Sequence, residues 1–271
     1  MAELQPNRDV HRVDPVWDAM VQDATAMQKA EPLMHSLLHE NVIGRPSFEA
    51  SLAARLAAKI CVHEIKEASL RETFNALMGE NPEIGARARA DIAATYERDP
   101  ACTSYVQPLL FFKGFMALQA SRMAHALWTR ERVPLAQFIQ MRVSEVFGVD
   151  IHPGARIGKG IMIDHATSIV IGETAVIEDD VSMLHSVTLG GTGKEGGDRH
   201  PKIGRGVLIG AGAHILGNIR IGDNSRVGAG SVVLHDVPPC KTVAGVPAKI
   251  VGDAGCEFPS QAMDHLVGGD A

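Results

Sequence analysis

The spacing of apolar residues changes once along the chain, close to residue 148. Before that point apolar side chains recur at helical intervals. Leu52, Leu56 and Ile60 are four apart, and the stretch from Leu109 to Trp128 keeps the same spacing. Asp14-Pro15 supplies an N-cap followed by a proline suited to the first helical position, and Ser69 to Glu72 has the form of a capping box. Pro82, Pro100, Pro108 and Pro134 mark breaks between helices. Residues 1–148 therefore read as an α-helical domain. Phe111, Phe112, Phe115 and Trp128 read as its core, and His35 and His39, one turn apart, as a solvated face.

After residue 148 the period becomes six. Steps of six from Ile151 meet Ile157, Ile163, Ile169, Ala175, Val181 and Val187; a second series runs Ile203, Ile209, Ile215, Ile221, Val227 and Val233. A helix repeats every 3.6 residues and an amphipathic strand every two, so neither explains this pattern, whereas a parallel β-helix does. Each hexad forms one short face of a coil, and its aliphatic side chain stacks on those of the coils about 4.8 Å above and below. Glycine follows the aliphatic residue at 158, 204, 210, 222 and 228, where it would serve sharp corners. Of the 27 glycines, 22 lie beyond residue 148, which sharpens the division into two regions. Residues 149–251 read as the β-helix and 252–271 as a C-terminal tail.

The two series are out of phase, because Val187 and Ile203 are sixteen apart. The surplus lies in residues 190–201, Gly-Gly-Thr-Gly-Lys-Glu-Gly-Gly-Asp-Arg-His-Pro. It does not fit a nucleotide-binding loop. Counting back from Lys194 puts Thr188 where the first glycine should stand, and Glu195 replaces the Ser/Thr that would hold a cation. In a solenoid such an excursion lies on one face, often the binding face, and this one carries Arg199 and His200. Asp150 and His165 are fifteen apart. With eighteen residues per coil they would sit on adjacent rungs, where the carboxylate could orient the imidazole as a general base or simply form a structural hydrogen bond.

Composition narrows the function further. A net charge of -6 over 271 residues argues against a nucleic-acid partner. No apolar run approaches the roughly 18 residues of a membrane span, and the charged first twenty residues hold no signal-peptide core. Cys61, Cys102, Cys240 and Cys256 are widely separated, as expected of reduced thiols in a cytoplasmic protein.

The segments from Val149 to Ile177, from Ser186 to Ile203 and from Ile209 to Gly222 resemble the serine acetyltransferase family, the likeness running from about Asp99 to Gly252. The resemblance implies an α+β chain: an N-terminal α-helical domain followed by a left-handed parallel β-helix of hexapeptide repeats, the hand being an exception to the usual crossover rule. It implies acetyl transfer from acetyl-CoA to L-serine, the first step of cysteine biosynthesis, with no metal. His165 matches the general base and Asp150 its partner. Asp99 and Asp164 match the acids that hold the serine ammonium, and Arg199 and His200 the residues around its carboxylate. Gly191 is placed to offer an N–H to the oxyanion; Ala211, Gly212 and Ala229, with Lys249 beyond, match the CoA groove. L-Cysteine is the expected inhibitor, and a homo-hexamer built as a dimer of trimers the expected assembly, with sites between neighbouring prisms. Many members end in isoleucine, which enters O-acetylserine sulfhydrylase; this chain ends in Ala271, which puts that complex in doubt. Homoserine as the acceptor is the nearer alternative. A zinc enzyme of the carbonic anhydrase kind, using His165, His185 and His200, is the remote one.

Overall fold

The computed structural model describes residues 14–193, 196–255 and 257–266. Its helical part contains α1 (Pro15–Ala30), α2 (His35–Leu38), α3 (Phe48–Ile60), α4 (Glu67–Glu80), α5 (Glu83–Arg98), α6 (Gln107–Phe111), α7 (Lys113–Trp128) and α8 (Val133–Phe147). Asp14 caps α1 as expected, accepting the Trp17 N–H at 3.1 Å. The capping box does not form. Lys66 is the extended residue before α4, so Ser69 lies inside the first turn and its backbone carbonyl accepts the Thr73 hydroxyl. The apolar run from Leu109 to Trp128 is two helices, because Phe112 is extended and breaks it. The break turns Phe111 out to solvent, so only Phe115 of the three phenylalanines is fully core.

Gly148, left-handed at φ 68, ends α8 and releases the chain into a parallel solenoid. Its first face stacks β1 (Val149–Ile151), β4 (Ile169–Ile171), β7 (Thr188–Gly190), β10 (His214–Leu216) and β13 (Val232–Val233). The second stacks β2 (Arg156–Ile157), β5 (Val176–Ile177), β8 (Lys202–Ile203) and β11 (Arg220–Ile221). The third stacks β3 (Met162–Ile163), β6 (Ser182–Met183), β9 (Leu208–Ile209) and β12 (Arg226–Val227), and ends in an antiparallel hairpin of β14 (Lys241–Gly245) and β15 (Ala248–Asp253).

The coils differ in length, and this corrects the six-step register. Val149 pairs with Ile169, twenty residues on; Val170 with Thr188, eighteen on; Thr188 with His214, twenty-six on. Two extra residues enter at the turn after Ile163. Thus Ile151 stacks on Ile171, Leu189, Ile215 and Val233, while Ile169, Ala175, Val181 and Val187 form a second inward row two positions earlier. Both rows are buried, so the hexad signal survived a change of row. The corner glycines also act differently from expectation. Gly210 is not left-handed; a Cβ there would lie 2.6 Å from Ala229 N on the next coil. The left-handed corner positions fall two residues later, at Gly160, Asp180, Gly206, Gly212 and Asn224 among others.

The first coil has no coil beneath it, and helices α5 and α7 occupy that edge. Asp91, fully buried on α5, accepts from Arg122 at 2.7 Å, Gln119 at 2.9 Å and the Ile161 N–H at 2.9 Å. Arg122 also donates to the carbonyls of Ile157 and Gly158, and Arg98 to that of Gly160. Gly114 lets α7 approach so closely that a Cβ would lie 2.1 Å from Ile163 O. At the other end of the chain α9 (Pro259–Ala262) folds back, with the Ser182 hydroxyl donating to Ser260 O at 2.8 Å. Buried Arg226 donates to the carbonyls of Ala254 and Leu266 and pairs with Asp264.

Removing Asp91 leaves a buried guanidinium without its counter-charge, which typically costs about 3–5 kcal/mol. Asp91→Ala is expected to lower the urea unfolding free energy by that amount; a change below about 1 kcal/mol would show that the junction does not depend on this pair.

Candidate active site

The site residues gather at two corners of the prism. At one, α5 ends at Arg98 and the extended Asp99 follows, its Oδ1 accepting the Ala101 N–H at 2.8 Å. Because Arg98 is bonded to Gly160 O and to Ser182 Oγ, the end of α5 is fixed beside the turn after β3, where Asp164 and His165 lie. His165, Ala166 and Ser168 all have positive φ, near 60°, a conformation that costs non-glycine residues roughly 1 kcal/mol or more each. The result is an imidazole thrown clear of the coil: the His165 side chain is 74% exposed, with Nε2 3.5 Å from Asp164 Oδ2. A cavity of about 320 Å³ lies here, lined by Asp99, Phe111, Lys113, Asp164 and His165 among others. Phe111 and Lys113, whose amine contacts the Thr167 hydroxyl, escaped the sequence reading because nothing in their spacing sets them apart from core.

The other corner holds Arg199 and His200. The excursion leaves the first face after β7 and returns onto the turn Gly172-Glu173-Thr174, one coil earlier. Arg199 Nη2 pairs with Glu173 at 2.7 Å, and that guanidinium bond holds the Glu173 carboxyl below its ordinary pKa. His200 is buried, with Nδ1 accepting the Thr174 N–H at 3.2 Å. Gly172 makes room for it: a Cβ would fall 2.0 Å from the ring. Gly191 lies against the same two side chains. Glu173 and Thr174 were not singled out by sequence, since a spacing of 25 or 26 residues carries no local signal.

These two corners lie at opposite ends of the first face within one chain. The expected contact between Asp150 and His165 is not made there either. The first coil is twenty residues long, so Asp150 sits beside Val170 on the outward row of the face, and its carboxylate accepts from Gln140 Nε2 at 2.7 Å. His165 packs edge-on against His185 instead, the ring centroids 5.9 Å apart. His200 stands at the far corner from both, so the three histidines considered as zinc ligands do not converge in one chain. Among the described residues no group of His, Cys, Asp and Glu is arranged to hold a metal ion. Ala211, Gly212 and Ala229 continue the His165 corner along later coils, where Gly212 N bonds His185 O and Gly230 N bonds Ala211 O; exposed Lys249 lies on β15. Cys102, three residues from Asp99, is buried, which pushes its thiol pKa to about 11 and leaves it protonated at neutral pH. Cys256 and Ala271 lie outside the described residues. A larger cavity of about 570 Å³, between α5, α7 and the first two coils, holds none of the sequence-predicted site residues.

The family model described as "Serine acetyltransferase, N-terminal" matches residues 16–120, and that of the bacterial transferase hexapeptide (six repeats) matches residues 200–235. A serine acetyltransferase of Salmonella typhimurium is 52% identical over 254 residues, 94% of this chain and 93% of that protein. The chain belongs to the serine acetyltransferase family. Two solved members of that family align over nearly their whole length. The serine acetyltransferase of Brucella abortus strain S19, in complex with coenzyme A, has a TM-score of 0.89 at 48% identity, covering 90% of this chain and 98% of that one. Soybean serine acetyltransferase complexed with serine has a TM-score of 0.85 at 53% identity, covering 87% and 97%. The family assignment favours serine over homoserine as the acceptor.

Burial, and then the Arg199 charge, hold the His200 pKa below the ordinary imidazole value. The unfolded chain, near 6.5, therefore binds this proton more readily than the folded one. The stability tied to His200 is complete above about pH 6.5 and is lost as pH falls through the lower folded value. Urea midpoints measured between pH 7.5 and 5 should fall, and fall less in His200→Asn. Equal slopes in both proteins would remove His200 from the acid transition.

Proposed function

We propose that the acetyl group passes from acetyl-CoA to the hydroxyl of L-serine, giving O-acetyl-L-serine and CoA, at a site shared by two subunits. The observation that carries this reading is the separation of the two corners. Asp99, Asp164 and His165 stand at one end of the first face, Asp150 on its outward row and Arg199 and His200 at the other end. A heterologous contact that closes into a three-fold ring sets one chain's His165 corner against the next chain's Arg199 corner. The serine ammonium then meets Asp99 and Asp164, while its carboxylate meets the partner's Arg199 and the partner's His200. Asp150 of the partner subunit orients His165.

His165 takes the hydroxyl proton as the oxygen attacks the thioester carbon, and returns it to the departing thiolate; a positioned base is worth roughly 10²- to 10⁴-fold. Transfer is direct. The buried Cys102 thiol, protonated at neutral pH, supports this reading because it is a poor nucleophile. The Gly191 N–H is the proposed donor to the developing oxyanion. CoA runs along Ala211, Gly212 and Ala229 toward Lys249. L-Cysteine differs from L-serine by one atom and presents the same ammonium and carboxylate, so it competes for the same groups. Trimers pair through the helical domains into a hexamer in the cytoplasm; no helix among the described residues is long and apolar enough to cross a membrane.

His165→Ala should lower kcat by at least about 10²-fold with the assembly intact, and Asp150→Asn by less. Arg199→Ala should mainly raise KM for serine. At serine concentrations far below the raised KM of Arg199→Ala, each of the variants His165→Ala and Arg199→Ala is nearly inactive alone, but oligomers co-assembled from both contain interfaces with two intact halves. Co-expression should therefore restore a substantial part of the activity. If the mixture stays as inactive as its components, the site lies within one chain.

A further inference from the structure

His185 lies one coil beyond His165 at the same corner: Ser186 N bonds Thr167 O at 2.8 Å, and Gly212 N bonds His185 O at 3.0 Å. Going along the corner, the order is therefore His165, His185, then Ala211-Gly212 and Ala229-Gly230. His185 Nδ1 is buried and has no hydrogen-bond partner among the described residues. An N–H buried without an acceptor is the costlier state, because an orphaned donor is rarer in folded proteins than an under-satisfied acceptor. Nδ1 is thus the unprotonated nitrogen and the proton resides on Nε2. The side chain is half-buried, its ring edge-on to His165, and no protein group among the described residues bonds Nε2. Nε2–H is consequently a donor held beside His165 with its orientation set by packing.

If serine is held by Asp99, at the end of α5, and by Asp164, on the first coil, and CoA lies along the third and later coils, the thioester spans the coil between them. We infer that His185 is a second catalytic imidazole, which donates a hydrogen bond from Nε2 to the sulfur of CoA as the carbon–sulfur bond breaks. This rests on the placement of serine and CoA proposed above. The proton balance is unchanged: His165 accepts the serine hydroxyl proton, the C–O bond forms, the C–S bond breaks, and the thiolate takes the proton back from His165. His185 keeps its proton throughout. A thioester sulfur is a weak acceptor and a thiolate a strong one, so the bond gains strength as the leaving group forms, which is how an interaction raises kcat rather than lowering KM.

The test reads the ionisation of bound CoA by the ultraviolet absorbance of its thiolate, titrated with pH against desulfo-CoA on the same protein as reference. In the native enzyme the bound thiol should ionise about one to two pH units lower than in free CoA, the worth of one hydrogen bond to a charged group. His185→Phe, which keeps a flat ring of similar size, should return it to the free value with CoA affinity changed less than threefold. It should also lower kcat at least tenfold with KM for serine unchanged. His185→Gln, which retains an N–H donor, should recover part of both effects. An unshifted thiol in the native enzyme overturns the inference, as does a shift that survives in His185→Phe. Equal losses in the two variants, or abolished CoA binding in His185→Phe with the thermal midpoint unchanged, would mean that the ring only shapes the CoA groove and overturn the inference. Failure of the CoA placement itself shows separately, as undiminished CoA affinity in Ala229→Glu.

Discussion

The buried carboxylate of Asp91 and the guanidinium of Arg122 join two kinds of architecture that would otherwise have no reason to meet. A solenoid leaves the backbone groups of its terminal coil without partners, and buried backbone groups without partners are costly. Here the Ile161 N–H is taken up by Asp91 and the Ile157, Gly158 and Gly160 carbonyls by Arg122 and Arg98. The helices are therefore more than a partner-seeking appendage. They satisfy the edge of the first coil, and in doing so they fix where α5 ends. Since Asp99 follows that end directly, the position of its carboxylate depends on a buried ion pair two turns earlier in the same helix.

The electrostatics of the site follow from which groups are wet. His165 is exposed, lifted out by a turn of left-handed residues, and so is open to whatever enters the neighbouring cavity. His200 is buried, and burial with the neighbouring Arg199 charge disfavours its protonated form. The fixed positive charge at this corner therefore belongs to Arg199, and His200 contributes hydrogen bonding. Glu173 tempers that charge and aligns the guanidinium.

Much of this was legible in the sequence wherever the physics is local or repeats. Asp14-Pro15 announces the start of α1, and the six-residue period of Ile151, Ile157 and Ile163 announces the solenoid. The loop bearing Arg199 and His200 was visible as a break in that period. Local signals misled where tertiary packing overruled them: Ser69 resembles a cap but lies inside a helix, and Phe111 has core spacing but faces solvent. The contact expected between Asp150 and His165 within one chain is absent for a different reason. The expectation assumed a coil of eighteen residues, and the two residues gained after Ile163 move Asp150 beside Val170. The partners of Arg199 and His200 were out of reach, because Glu173 and Thr174 are brought to them by the closure of a twenty-six-residue coil.

Coils of eighteen, twenty and twenty-six residues share one stack without disturbing its inward rows. Each coil closes on itself, so surplus residues are expelled at a corner and the register resets by the next strand. The corners therefore form a chassis with interchangeable fittings. A turn can be lengthened, shortened or exchanged without the core having to be repacked, and new acceptor chemistry can be explored by changing loops while the aliphatic columns stay as they are. The same tolerance explains why hydrophobic periodicity alone identifies the scaffold but says little about the substrate, which is written in the residues that the period leaves out.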